Sequence, residues 1–397
     1  MFEKITFTRQ DKNSADKPID IGWLVECMLF YRKTIIVADQ SILKQVVKYF
    51  GVDNLVTLID AGILELIYTE SHVGIHTKSL NDIPYHNPVQ ISSPQHDAYN
   101  VITRSCVEAI GKEGKGRRSA NKIRDKIKIT NHDNVILNGA NHSMIEQDYV
   151  DFAAKMIINK NLPSPVDLSG SFFRTEKTSN GIKVTSNFDF QILNHLYHQV
   201  ISPKHSSLTP ASILVNILDL EKELYFASLN LSEMATSEIS SSLAKKKFNY
   251  IINKSEKSAD KLSNFQGFVF DDAKDLRGAI NSNKIEINDL VDVLIKSTKF
   301  KSWLSELKPD NNLIKEYHSA VTRESFVDKL PAKSIRFSFF TGLGFAADTV
   351  LTGGLGTITG VAFGALDTFY LDKLLSGWKP NQFIEQNVKN LLQSDKE

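Results

Sequence analysis

Residues 33–70, KTIIVADQSILKQVVKYFGVDNLVTLIDAGILELIYTE, decide how this chain is read. KTIIVAD (33–39) is an unbroken apolar run of strand length, rich in β-branched residues, as a strand buried on both faces should be. Leu43, Val46, Val47 and Phe50 then recur at helical spacing. DNLVTLIDAG gives a second short helix, with Asp53 or Asn54 near its cap and Gly62 at its end. ILELIYTE (63–70) returns to strand character. A β-α-α-β opening predicts an α/β or α+β domain. Asp39 falls at the end of the first strand, where α/β sheets place functional acids and where an acid equally caps the next helix.

Working outward, the start MFEKITFTRQDKNSADK is polar and lacks an apolar core, so no secretory signal is read there. VGIHT (73–77) reads as a strand, the stretch from Pro84 to about residue 100 as loop, and AYNVITRSCVEAIG (98–111) as a helix. A basic helix after Ser119 leads into a strand, KIKIT or NVIL. Residues 144–160 have the spacing of a half-buried helix, which LPSPVD then breaks. TESHVGIHTKSLND (69–82) and TEKTSNGIKVTSNFD (175–189) echo each other weakly. A duplicated unit would explain the echo, although chance similarity of strand-turn-strand segments is the simpler account.

From Thr209 the period becomes helical, with Thr209 as cap and Pro210 at the first helical position; GFVF (267–270) is the exception. The expected organisation is an α/β domain over 1–205, a helical domain over 206–330, and a glycine-rich helical hairpin with an amphipathic tail over 331–397. The fold class is α+β.

Composition narrows the function. The 397 residues are 42% hydrophobic and 23% charged, which predicts a folded chain of more than one ordinary core. A net charge of +1 gives no global pull toward nucleic acid or anionic lipid, so any such attraction is local. Cys27 and Cys106 are the only cysteines, which excludes a disulfide scaffold and fits a cytoplasmic location.

The most unusual segment is Phe337–Leu366, which holds seven of the twenty glycines and one charge, Asp348. Gly356, Gly360 and Gly364 repeat every fourth residue and share one helical face, so another helix can approach backbone to backbone. Gly353-Gly354 predicts a turn between two arms; arms of roughly 17–21 residues reach ~26–31 Å, about the thickness of bilayer hydrocarbon. Trp378 suits a membrane interface, and Pro380 ends the second arm. Asp348, Asp367, Asp372 and Lys373 make this a conditional inserter at the inner membrane, not a constitutive span. In outline it resembles the glycine-rich helical hairpins that pore-forming toxins bury until triggered. The alternative is a soluble hairpin packed through its glycines.

Other constellations are weaker. Lys112–Lys128 carries eight Lys or Arg against two acids, and Arg117, Arg118, Lys122 and Arg124 are candidate contacts for phosphates of nucleic acid or lipid. A solvated basic helix gives the same pattern. His76, Lys78 and Asp82 (HTKSLND) resemble the HxK-then-Asp signature of phospholipase D-like enzymes, where His is the nucleophile and Lys binds phosphate. Here the spacer before Asp82 has three residues instead of four, and no second HxK pair appears. His195 and His198, with His205 nearby, lie close in sequence, but no metal, cofactor or catalytic set is assigned.

The leading expectation is a non-enzymatic protein whose C-terminal hairpin associates with membrane lipid or with itself, while the N-terminal domain senses a ligand or partner. A membrane-permeabilising toxin or defence effector is its concrete form. The alternative is a soluble nucleic-acid-binding or phosphodiester-processing protein using residues 112–128 and His76, Lys78 and Asp82.

Overall fold

The computed structural model describes residues 3–9, 17–69, 71–92, 97–132, 134–202, 206–247, 273–298 and 300–301, with 388 and 391–392. The run at 33–39 becomes β2 (Lys33–Ala38), the middle strand of a five-stranded parallel sheet. Its other strands are β1 (Lys4–Phe7), β3 (Leu64–Thr69), β6 (Lys128–Thr130) and β9 (Glu233–Ala235). Their order is β6-β3-β2-β1-β9. Ile36 and Ala38 face one core and Ile35 and Val37 the other, which is why β2 shows no polar alternation.

The first face is covered by α1 (Ile21–Phe30), α2 (Gln40–Phe50), α3 (Val52–Asp60), α4 (Ala98–Ile110) and α5 (Glu113–Ile123). On the second face, Phe226 of α9 (Pro210–Leu229) packs on Ile35, Val37 and Ile67. Thr209 and Ser212 form a reciprocal cap at the start of α9, with Pro210 at its first position.

A second sheet is antiparallel, in the order β4-β5-β8-β7, from β4 (Ser71–Leu80), β5 (Ile83–Ser92), β7 (Phe173–Thr178) and β8 (Gly181–Ser186). Beneath it α6 (Asn134–Ser143), α7 (Gln147–Asn161), α8 (Phe190–Tyr197), α9 and α10 (Glu238–Lys247) build a separate apolar core. The chain thus combines helices with one parallel and one antiparallel sheet.

Several expectations are corrected. The stretch after Pro84 is not loop: β5 pairs with β4 along its whole length, turning through Asn81 and Asp82 at φ of 48° and 61°. β8 pairs with β5 only at Tyr85 and His86, so Pro84 and Pro88 fall where β5 has an open side and no donor is missed. Of KIKIT and NVIL, the first supplies β6 and the second opens α6. The change of period near residue 205 does not end the sheet, because β9 lies beyond it and pairs in parallel with β1. The two echoing segments differ in form: the first is one strand, β4, and the second spans the β7–β8 hairpin.

Two elements follow in the described C-terminal part, α11 (Ala273–Asn281) and α12 (Ile287–Lys296). α11 crosses α1 at Gly22, where an added Cβ would lie 2.8 Å from the Arg277 Cγ and carbonyl oxygen. Leu290, Leu294, Phe300, Val388 and Leu391 join the core that contains α1. Enclosed in that core, α1 is buried at all ten positions.

Candidate functional site

In open α/β sheets, ligands bind beyond the carboxyl ends of the strands, where the strand order reverses. Here β2, β3 and β6 extend the sheet on one side of β1 and β9 on the other, so the reversal lies between β1 and β9. Two groups of side chains occupy this edge of the sheet.

The first group is charged and joins the ends of β1, β2 and β3 to α9. Asp39 caps α2, accepting from the Ser41 and Ile42 backbone N–H groups at 2.9 and 3.0 Å and from the Ser41 hydroxyl at 2.7 Å. Arg9, two residues beyond β1, donates Nε–H to Asp39 Oδ2 at 2.8 Å. Burial works against the charge on Asp39, but Arg9, Ile42 and Ser41 outweigh it and hold the carboxyl below its ordinary range. On α9, Lys222 donates to Asp219 at 3.0 Å. Burial disfavours its ammonium, yet Asp219, Glu223 and Asp39 raise its pKa.

Beside them, Ser71 Oγ accepts the His132 backbone N–H at 3.0 Å and stands 3.0 Å from His132 Nδ1. Burial, with help from Lys222 and His72, pushes the His132 pKa down to about 4, so the ring is neutral near pH 7. Each cation here has an acid and the histidine carries no charge. The group is a closed network that braces the sheet edge.

The second group is open. A cleft of about 1080 Å³ lies at the carboxyl end of β9. Its floor includes Thr236 and Ser237, at the corner between β9 and α10. Buried Glu223 fixes that corner, accepting from Thr236 Oγ1 at 2.5 Å and Ser240 Oγ at 3.2 Å. One wall is α2, through Gln45, Lys48 and Tyr49, together with residues 17–21. Gln45 holds that segment, accepting from Ile19 N–H at 3.2 Å and donating to Ile19 O at 2.8 Å. Opposite stand Ser212 and Asn216 in the first turns of α9.

Ile280 and Asn281 of α11 close a third side. Asp20, also a lining residue, caps α1 through the Trp23 N–H at 3.0 Å. It accepts from Arg277 Nε at 3.0 Å and Asn281 Nδ2 at 2.9 Å. Asn281 Oδ1 accepts the Gly22 N–H at 2.8 Å. Burial favours the neutral acid, but Arg277, Asn281 and the Trp23 amide lower the Asp20 pKa and keep it ionised.

The residues singled out in the sequence are dispersed. Gly356, Gly360, Gly364 and Trp378 lie outside the described residues. Arg117 pairs with Glu113 at 2.9 Å, Lys122 with Asp53 of α3 at 2.7 Å, and Arg124 with Asp125 at 3.5 Å. Arg118 donates to the Gly114 carbonyl at 3.2 Å. His76 and Lys78 sit on one exposed face of β4, and Asp82 is in the following turn, so this set belongs to the antiparallel sheet. His198 Nε2 lies 3.2 Å from the Ser206 carbonyl. Among the described residues, no three His, Cys, Asp or Glu side chains are grouped to hold a metal.

Asp39 is at the edge of the sheet, where the sequence put it, and it is also the cap of α2. Asp20, Gly22 and Arg277 were not found from the sequence. The signal was Asp20 ahead of the apolar run IGWLVECMLF, a helix-capping pattern. Comparison with known proteins finds no matching family model, no matching curated protein and no matching solved structure.

Proposed function

We propose that this chain is a ligand-responsive binding protein. A small ligand enters the cleft at the carboxyl end of β9, and the state of the cleft sets whether the glycine-rich segment engages a membrane or a second copy of the chain. The observation that carries this reading is the shared wall: α11, on the way to the glycine-rich sequence, is tied by Arg277 and Asn281 to Asp20 of the cleft.

The flanks support it. Phe300 and Val388 are 0% exposed and Leu391 is 5% exposed, all in the core that holds α1. These core residues lie on both sides, in sequence, of Gly356, Gly360, Gly364 and Trp378. No helix among the described residues is long and apolar enough to cross a membrane, so this reading assigns lipid contact to the glycine-rich segment.

Vesicle flotation of the full chain tests it, beside a variant carrying Gly356→Ile, Gly360→Ile and Gly364→Ile. The substitutions block close helix approach while keeping the segment apolar. The wild type is expected to float or self-associate and the variant to lose either property. Equal behaviour of the two would remove the glycine argument. A truncation before the segment is a poorer test, because it strips Val388 and Leu391 from the core around α1. The nucleic-acid reading has less support, since Arg117, Lys122 and Arg124 already face acids.

A further inference from the structure

Beyond α12, Phe300 joins the core around α1 and sets its ring 6.4 Å from that of Phe30. Its neighbour Lys301 is only 2% exposed. The Lys301 backbone N–H donates to the Ser297 carbonyl at 2.9 Å, so the side chain is carried on a helical turn. Its Nζ has no hydrogen-bond partner among the described residues. An ammonium ion in that setting loses its hydration and gains neither an acceptor nor a counter-charge, a cost that a neutral amine escapes.

We infer that Lys301 makes the seating of this segment on α1 proton-linked: the amine is buried uncharged and takes up a proton when the segment leaves. As a control on the glycine-rich sequence that begins at Phe337, the inference rests on the reading above.

The charged groups on the surrounding elements leave the amine uncompensated. On α3, which meets α12 through the Asn54–Asn288 hydrogen bond at 3.1 Å, Asp53 pairs with Lys122 and Asp60 with Lys126. Asp289, Asp292 and Lys296 of α12 are exposed. Glu26 of α1 is buried, and that burial raises its pKa to about 7. Burial is the one influence on Lys301, and it lowers the pKa from 10.5 to about 7.

Between those two values the seated amine is neutral and the released one is charged. Seating therefore gives up a proton. It is strongest above pH 10.5, weakens as pH falls toward 7, and changes little below 7, where the seated amine is itself charged. Within the window the change is up to about tenfold per pH unit.

Urea unfolding of the full chain at pH 7.5 and pH 8.5 tests this, beside Lys301→Met, which is similar in length and has no amine. The wild-type folding constant should rise at least about fivefold between the two pH values, and that of Lys301→Met should change by less than about twofold. Glu26 titrates below this window. Burial pushes the Cys27 and Cys106 thiols up, which acts in the opposite sense as pH rises and is common to both proteins.

A rise that survives in Lys301→Met would overturn the inference, as would a wild type that shows none. Failure of the variant to fold would also overturn it, since a site that holds an uncharged amine accepts a thioether of similar size. Flotation at the same two pH values, with phosphatidylcholine and phosphatidylglycerol vesicles, separates this inference from the reading it rests on. More wild type floating at pH 7.5 than at pH 8.5, with Lys301→Met equal at both, supports control of the glycine-rich segment. Proton-linked stability with pH-independent flotation would keep the role of Lys301 and remove its coupling to the membrane.

Discussion

At the carboxyl ends of β1, β2 and β3, Arg9 meets Asp39, Lys222 meets Asp219, and His132 is neutral. At the carboxyl end of β9, apolar side chains interspersed with hydroxyls, amides, two lysines and two acids line an open cleft of about 1080 Å³. The first end is the less receptive of the two. Its charges are satisfied by one another, so they fix geometry and leave little capacity for an incoming group. At the cleft, Asp20 and Glu238 are lining residues and are paired with Arg277 and Lys160. What distinguishes the second end is a cavity, and not the number of ionisable residues.

If this contrast holds, the closed end should govern stability and the open end binding. The largest effect is expected at His132. The ordinary His pKa is 6.5 and burial lowers this one to about 4. In that window the unfolded chain takes up a proton that the folded chain refuses. The stabilisation is complete above pH 6.5 and is lost as pH falls toward 4, by up to about 3 kcal/mol. Urea unfolding at pH 7 and pH 4.5 measures it. His132→Gln should flatten the difference, and a slope equal to that of the wild type would show that another group carries it.

A smaller loss is expected at Asp39. Asp39→Ala removes the α2 cap and the partner of Arg9, for about 2 kcal/mol. Lys48→Ala is the reverse case: the side chain is exposed on the cleft wall, and its loss costs less than about 0.5 kcal/mol in stability. The contrast breaks if Asp39→Ala leaves stability unchanged or if Lys48→Ala destabilises the fold.

The half of the fold written in amphipathic or β-branched patterns was legible. β2, α2, α3 and β3 follow from residues 33–70, and the α9 cap follows from Thr209 and Pro210. Three elements that frame the cleft were not. β1 is four residues in a polar-looking start, yet it lies between β2 and β9, where tertiary pairing outweighs local composition. α1 has no polar face, since the sheet and the C-terminal elements enclose it, and so offers no helical period to detect. β9 is three residues long and acquires its role only by pairing with β1, more than 200 positions earlier. The cleft itself depends on Asp20 meeting Arg277 and Asn281 across 257 and 261 positions, a juxtaposition that no local pattern encodes. Asp39 was placed correctly by position, but its partner Arg9 is what makes it structural.

The central claim is that the cleft and the glycine-rich segment are coupled through Asp20, Arg277 and Asn281. Vesicle flotation of full-length Arg277→Ala beside the wild type tests it most directly, with thermal unfolding to confirm that the variant is folded. The account predicts that releasing this tie raises the floated fraction at least about twofold, and that adding Gly356→Ile, Gly360→Ile and Gly364→Ile to the variant cancels the gain. An unchanged floated fraction in the folded variant, or a gain that survives the glycine substitutions, would contradict it.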